Sequence, residues 1–344
     1  MMARYGILTS GGDCPGLNAV IRGTVLQGTS VHGQEFVGFL DGYKGLVYGD
    51  IKLLTRSAVR GISRHGGTIL GTSRFGPYQK PDGGPDAIKK VLEELEVDGV
   101  VAIGGDGTMA AANRLFGDGI PMVGVPKTID NDLQATDFTF GFSTAVEIAT
   151  EAADRLRTTG DSHMRCMVLE VMGRHAGWIA IYAGIAAGAH VTLIPEAPET
   201  LDQICEWVTA VKDRRRAPLV IVAEGFKLPE MAEAHSDRGM DEFNRPRLGG
   251  IGDILAPLIE ERTGIITRAT TLGYIQRGGV PTAYDRVLGT RFGQAISDVL
   301  ADGDWGKMVA LRGTEIVRVP FSDAVGHTKN VPINFYNGAR ALFG

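Results

Sequence analysis

Cysteine is scarce in this chain. Cys14, Cys166 and Cys205 are the only three, an odd number with no CxxC spacing, so neither a disulfide framework nor a zinc knuckle organises the fold. Long apolar runs are missing too: none approaches the roughly 20 residues of a membrane span. The N-terminus enters the strand-like Tyr5 to Thr9 at once rather than a charged-then-apolar leader, so a cytoplasmic protein is expected. Neither sign of charge dominates. A formal charge of −5 and a pI near 5.8 exert no overall pull on nucleic acid or anionic membrane, and neither is expected as a partner. Two nucleotide signatures are also absent: GxxxxGK[ST], which excludes an ordinary P-loop enzyme, and GxGxxG, which excludes a standard dinucleotide domain.

What the chain has in quantity is glycine, 48 residues of it, clustered where apolar runs end and the backbone must turn tightly or approach a ligand closely. At 344 residues, 44% hydrophobic and 22% charged, the chain is globular and long enough for two cores. Short apolar runs alternate with helical patterns throughout. Strands are expected at Tyr5 to Thr9, Glu35 to Leu40, Thr68 to Thr72, Val97 to Ile103, Pro121 to Val125, Cys166 to Val171, His190 to Ile194, Leu219 to Val222, Thr267 to Gly273 and Met308 to Leu311. That alternation predicts an α/β fold with mostly parallel sheets covered by helices. No low-complexity linker marks a boundary, so the break is expected as a crossing near residue 140 with a late return. The polar stretch 227–250 is long for a connection and reads as a flap or an interface element.

The loops after these strands carry the chemistry. Gly104-Gly105-Asp106-Gly107-Thr108 precedes a helix of small residues; its glycines let N–H groups face phosphate, and Asp106 can hold Mg²⁺. Pro126-Lys127-Thr128-Ile129-Asp130-Asn131-Asp132 sets two carboxylates two residues apart. By itself it reads equally as a turn or as an active site at a strand's C-terminal edge. Arg74 beside Phe75 can clamp phosphate and stack on a base, and Met172-Gly173-Arg174 adds a basic side chain to another glycine turn. Glycines, a Mg²⁺-type Asp, a carboxylate pair and several arginines together match phosphoryl transfer, where catalysis is largely positioning and charge stabilisation.

Six blocks, TSGGDCPGLNAVIRG, GGDGT, PKTIDND, MGRHAGW, AEG and IQRGG, then resemble the 6-phosphofructokinases in order and spacing, from Gly6 to about Val319. The resemblance implies two Rossmann-like domains with the active site in the cleft between them. Residues 1–141 with about 276–326 would hold the phosphoryl donor, and 142–275 with about 327–344 would hold fructose 6-phosphate. It implies Asp130 as the base acting on the sugar's 1-hydroxyl, with Thr128, Ile129 and Asp132 beside it. Arg174 would steady the transferring phosphoryl group, Met172 and Gly173 line the sugar site, and Glu224 bind sugar hydroxyls. Arg165, Arg268, Tyr274 and Arg277 would surround the 6-phosphate, with Arg165 and Arg268 at positions that a neighbouring subunit supplies. A homodimer or homotetramer is therefore expected. Gly12, Arg74, Phe75, Gly107 and Thr108 would contact nucleotide, and Asp106 the Mg²⁺.

The chain departs from the family pattern at three places. Lys127 stands where allosteric bacterial ATP enzymes have Gly and is typical of pyrophosphate-dependent relatives, whereas Gly107 stands where those relatives carry Asp. This combination resembles a mixed actinobacterial subgroup. A glycine leaves room for an α-phosphate that a carboxylate would repel, so ATP is the expected donor and pyrophosphate the alternative. Tyr274 replaces a His near the 6-phosphate. His190 replaces an effector-sensing Glu, so weak or altered regulation is expected.

Overall fold

The computed structural model describes residues 3–79, 81–231 and 249–344. The chain divides into two compact units. The first is Met1–Ile129, Leu133–Thr144 and Arg277–His327; the second is Asp130–Asp132, Ala145–Gln276 and Thr328–Gly344.

In the first unit, strands run in the order β12-β11-β5-β4-β1-β2-β3. These are β1 Arg4–Thr9, β2 Glu35–Phe39, β3 Ile51–Leu53, β4 Gly99–Gly104, β5 Met122–Thr128, β11 Lys307–Arg312 and β12 Glu315–Pro320. β1, β2, β4, β5 and β11 pair in parallel, while β3 and β12 close the two edges antiparallel. Every residue of β4 is buried, as expected of a parallel strand with both faces covered. One cluster joins Leu8, Val100, Met109, Leu115, Met122 and Phe321; each such side chain contributes roughly 1.5–3 kcal/mol by leaving water. From β1 the order runs one way to β2 and the other way to β4. The switch point therefore falls between β1 and β4, and the strands' C-terminal ends at such a point are where open α/β sheets bind ligands.

The second unit is a four-stranded parallel sheet, β10-β7-β9-β8: β7 Cys166–Val171, β8 Val191–Leu193, β9 Leu219–Ala223 and β10 Thr267–Thr271. Helices α5 Phe142–His163, α6 Trp178–Ala187, α7 Leu201–Asp213 and α8 Ile251–Thr263 connect its strands or lead into them. Its core joins Val168, Val191, Val208, Val220, Leu255 and Ile259. β7 lies between β10 and β9, so the loop after β7 sits at this sheet's own switch point.

Three expectations are corrected. Thr68 to Thr72 is not a strand: its polar groups serve the β1 loop instead, Gly71 C=O accepting from Thr9 Oγ1 at 2.7 Å and Thr72 Oγ1 donating to Gly11 C=O at 2.6 Å. β5 runs past Val125 to Thr128, because Lys127 and Thr128 pair with the two-residue strand β6, Phe140–Gly141. A further strand, the antiparallel β12, follows the last one expected, Met308 to Leu311. Of the proposed flap at 227–250, residues 232–248 lie outside the described residues. No helix among the described residues is long and apolar enough to cross a membrane.

Candidate functional site

The first unit brings the residues expected on the donor side to the ends of β1, β4 and β5 and the loop bonded to them. Ser10 N–H donates to Ile103 C=O at 3.0 Å, tying the glycine loop after β1 to β4. Lys127, only 4% exposed, turns its ammonium back into this loop and donates to Gly12 C=O. Gly11 lies against both Lys127 and Thr108. Arg277 packs on Gly12, its Nη1 2.7 Å from where a Cβ would start. Helix α4, Asp106–Gly117, begins at the end of β4. Thr108 and Met109 N–H donate to Gly105 C=O at 3.0 and 2.9 Å, and the helix start presents positive potential at the strand end. Tyr43 Oη, buried, donates to Thr108 C=O at 2.8 Å and fixes the helix's first turn. Asp106 is exposed, its Oδ1 accepting from Gly326 N–H at 3.2 Å. A Cβ at Gly107 would meet nothing within 4 Å, so this turn is open. Arg74 is exposed and Phe75 is half-buried, its ring centroid 5.8 Å from that of Tyr48. Burial pushes the Cys14 thiol up, which agrees with a small tolerated residue there and not a nucleophile.

The second unit assembles a different set. Arg174 adopts φ +52°, the left-handed region that ordinary side chains avoid. Two neighbours hold it there: Glu224 Oε1 accepts from Arg174 N–H at 3.0 Å, and Gly225 lies so close to Arg174 C=O that any Cβ at 225 would displace it. Met172 N–H donates to Gln276 Oε1 at 3.3 Å, and Gln276 Nε2 donates to Gly273 C=O at 3.2 Å. The loops after β7, β9 and β10 are thus mutually bonded. Asp130–Asp132 groups with this unit although β5, which delivers it, belongs to the first.

Two of the arginines assigned to the 6-phosphate lie elsewhere in this unit. Arg165 immediately precedes β7, and Arg268 is paired with Met167 at the start of β10. They therefore occupy the N-terminal edge of the sheet, with Arg174 beyond its C-terminal edge. The six residues of β7 separate the two edges by roughly 20 Å at ~3.3 Å per residue. Arg268 reaches Glu260 at 3.1 Å. Exposed Met164 and Ile266, 45% and 44%, flank the two arginines. Tyr274 is 72% exposed.

Against known proteins, a family model described as phosphofructokinase matches residues 4–300. The chain belongs to the phosphofructokinase family. A pyrophosphate–fructose 6-phosphate 1-phosphotransferase of Amycolatopsis methanolica is 55% identical over 341 residues, covering 99% of this chain and 100% of the relative. An ATP-dependent 6-phosphofructokinase of Streptomyces coelicolor is 50% identical over 340 residues, covering 98% and 99%. Among solved structures, Pichia pastoris phosphofructokinase in the T-state superposes with a TM-score of 0.81 at 30% identity, over 99% of this chain and 36% of the longer yeast chain.

Two buried carboxylates that anchor helix starts were not singled out from sequence. Glu170, 1% exposed, accepts from Gly250 and Gly252 N–H at 2.7 and 2.8 Å, placing a carboxylate on the N-terminus of α8. A charge inside the apolar run Cys166–Val171 was its available signal. Asp285, buried on α9 Ala283–Asp302, accepts from Thr144 N–H at 2.8 Å and fixes the start of α5. Burial raises its pKa despite these bonds.

His190 takes a definite protonation state. Its Nδ1 accepts from Leu219 N–H at 3.1 Å. Burial, then Arg157, Arg216 and Arg214, outweigh Asp161 and lower its pKa to about 4. The folded state thus favours neutral imidazole, and its contribution to stability is full above the unfolded value near 6.5 and is lost as pH falls toward 4. Because the ring is half-exposed, solvent screens much of the effect. In thermal melts from pH 7 to 4.5, His190→Gln, which retains an acceptor without the titration, should lose less Tm than wild type; parallel curves would show that His190 does not contribute.

Proposed function

We propose that this chain transfers the terminal phosphoryl group of MgATP to the 1-hydroxyl of fructose 6-phosphate, as a cytoplasmic homo-oligomer. The grouping of Asp130–Asp132 with the Arg174 and Glu224 loops in one unit carries this reading, since it collects a base, a phosphoryl-stabilising cation and a sugar-binding carboxylate. Asp130 takes the hydroxyl proton as the oxygen attacks phosphorus, and the bond to the leaving ADP oxygen breaks. Arg174, held by Glu224 and Gly225, meets the charge on the moving group. Thr128 and Asp132 support the base, and Met172 and Gly173 line the sugar. The first unit holds the donor through Gly12, Arg74, Phe75, Gly107 and Thr108.

Asp106 fits Mg²⁺: it is a hard oxygen donor, exposed, at a helix N-terminus that also draws phosphate. Mg²⁺ ordinarily takes one or two carboxylates and completes its shell with water and phosphate oxygens. When bound, the ion offsets the charge of the donor phosphates.

The opposite-edge placement of Arg165 and Arg268 supports their acting in a second copy's site, because one short rigid strand cannot bring them to Arg174. The exposed Met164 and Ile266 beside them suit an edge that a partner covers.

Openness at Gly107 favours ATP. Pyrophosphate is the second reading, favoured by Lys127 and by the pyrophosphate-dependent relative at 55% identity. Fructose 1,6-bisphosphate formation, measured separately with MgATP and MgPPi, decides between them. We expect the higher kcat/KM with MgATP; the reverse ratio would reassign the donor.

A further inference from the structure

We propose that the segment 329–331 is a strap that positions the Asp130 turn, and that Lys329 governs turnover through Asn131. This rests on Asp130 being the base. Asn131 is 1% exposed and held at φ +51°, the left-handed region that asparagine enters when its side chain is hydrogen-bonded. Lys329 enforces it twice: its Nζ donates to Asn131 Oδ1 at 3.0 Å, and its backbone N–H donates to Asp132 C=O at 2.8 Å. The residues on either side of this grip are Asp130 and Asp132 themselves.

The strap's other side is fastened to the chain just past Arg174. Lys329 C=O accepts from Trp178 Nε1–H at 2.7 Å, and the Lys329 ammonium lies 5.4 Å from the Trp178 ring centroid. Val331 N–H donates to Glu196 Oε1 at 2.9 Å, and both Glu196 oxygens lie 3.0 Å from Gly177 N–H. The strap therefore couples the turn carrying the carboxylates to the loop carrying Arg174, two groups that must be aligned with each other for the transfer. In this proposal Lys329 acts through Asn131 and the backbone of the turn, as a positioning residue.

Lys329→Met keeps the side-chain stem and both backbone bonds but removes the ammonium from Asn131. Misplacement of a reacting group by about 1 Å costs roughly 10²-fold in rate. Lys329→Met should therefore lower kcat about 10- to 100-fold while KM for fructose 6-phosphate stays within about threefold. Its Tm should stay within about 2 °C of wild type, as for a partly exposed polar change. Lys329→Arg, which restores a cationic donor, should recover at least about a third of wild-type kcat. Unchanged kcat in Lys329→Met overturns the proposal, as does a loss confined to KM, or one that follows a fall in Tm and is not recovered by Lys329→Arg. Asp130→Ser, assayed in parallel, separates the two ideas. Turnover there would strike the reading of the base, whereas an inactive Asp130→Ser beside a normal Lys329→Met would strike the strap alone.

Discussion

An equimolar mixture of Arg268→Ala and Asp130→Ser, each nearly inactive alone at subsaturating fructose 6-phosphate, should regain about a quarter of wild-type activity once subunits exchange. The number follows from symmetry. If each site takes Asp130 from one chain and Arg268 from its partner, a site is intact only when the first chain is the Arg268 variant and the second the Asp130 variant. Random mixing gives that arrangement in about one site of four, for a dimer or a tetramer alike. Arg268→Ala alone should lower kcat/KM by roughly 10²-fold, the size of lost charge-assisted hydrogen bonds to a phosphate, with the main effect in KM. The basis is the sheet itself: Arg268 stands at the start of β10 and Arg174 beyond the end of the adjacent β7. Differently tagged subunits would prove that exchange took place. Exchange without recovery would place both residues in a site built by one chain.

Asp130→Ser should lower kcat by roughly 10³-fold, within the span usual for loss of a positioned general base. Its KM for fructose 6-phosphate should move far less. The split is specific because the loops proposed to bind the sugar are held without the Asp130 carboxylate: Glu224 is bonded to Arg174 N–H and Gln276 to Met172 N–H. Serine is small enough to enter the turn, and Asn131 retains its Lys329 partner. Binding of fructose 6-phosphate by calorimetry should therefore persist. Near-normal turnover would remove Asp130 from the mechanism, while lost binding would show that it holds the sugar.

The strand order of neither sheet could be read from the chain, but most strands and their terminal loops could, because buried parallel strands are short apolar runs and glycine marks their ends. Thr68 to Thr72 misled because apolar residues also pack under a loop when its backbone bonds to a neighbouring strand end. β5 was read short because Lys127 is polar, and its burial depends on Gly12 C=O, a partner 115 residues away. The residues gathered around Arg174 were legible as motifs. Supports in the same unit were not: Glu170 and Lys329 act through contacts 80 and 198 residues distant, and separations of that kind leave no local pattern.

Lys127 also bears on how such chains can change their phosphoryl donor over evolutionary time. Its ammonium is bonded to the backbone of the loop after β1, so the side chain fastens a structural element as well as lending charge. Exchanging it for glycine would discard both roles at once and leave a part-buried carbonyl without this donor, a coupling that makes neighbouring substitutions non-additive. If Lys127 selects the donor, as proposed, a change of donor at this position also disturbs the first glycine loop, where a second substitution would compensate.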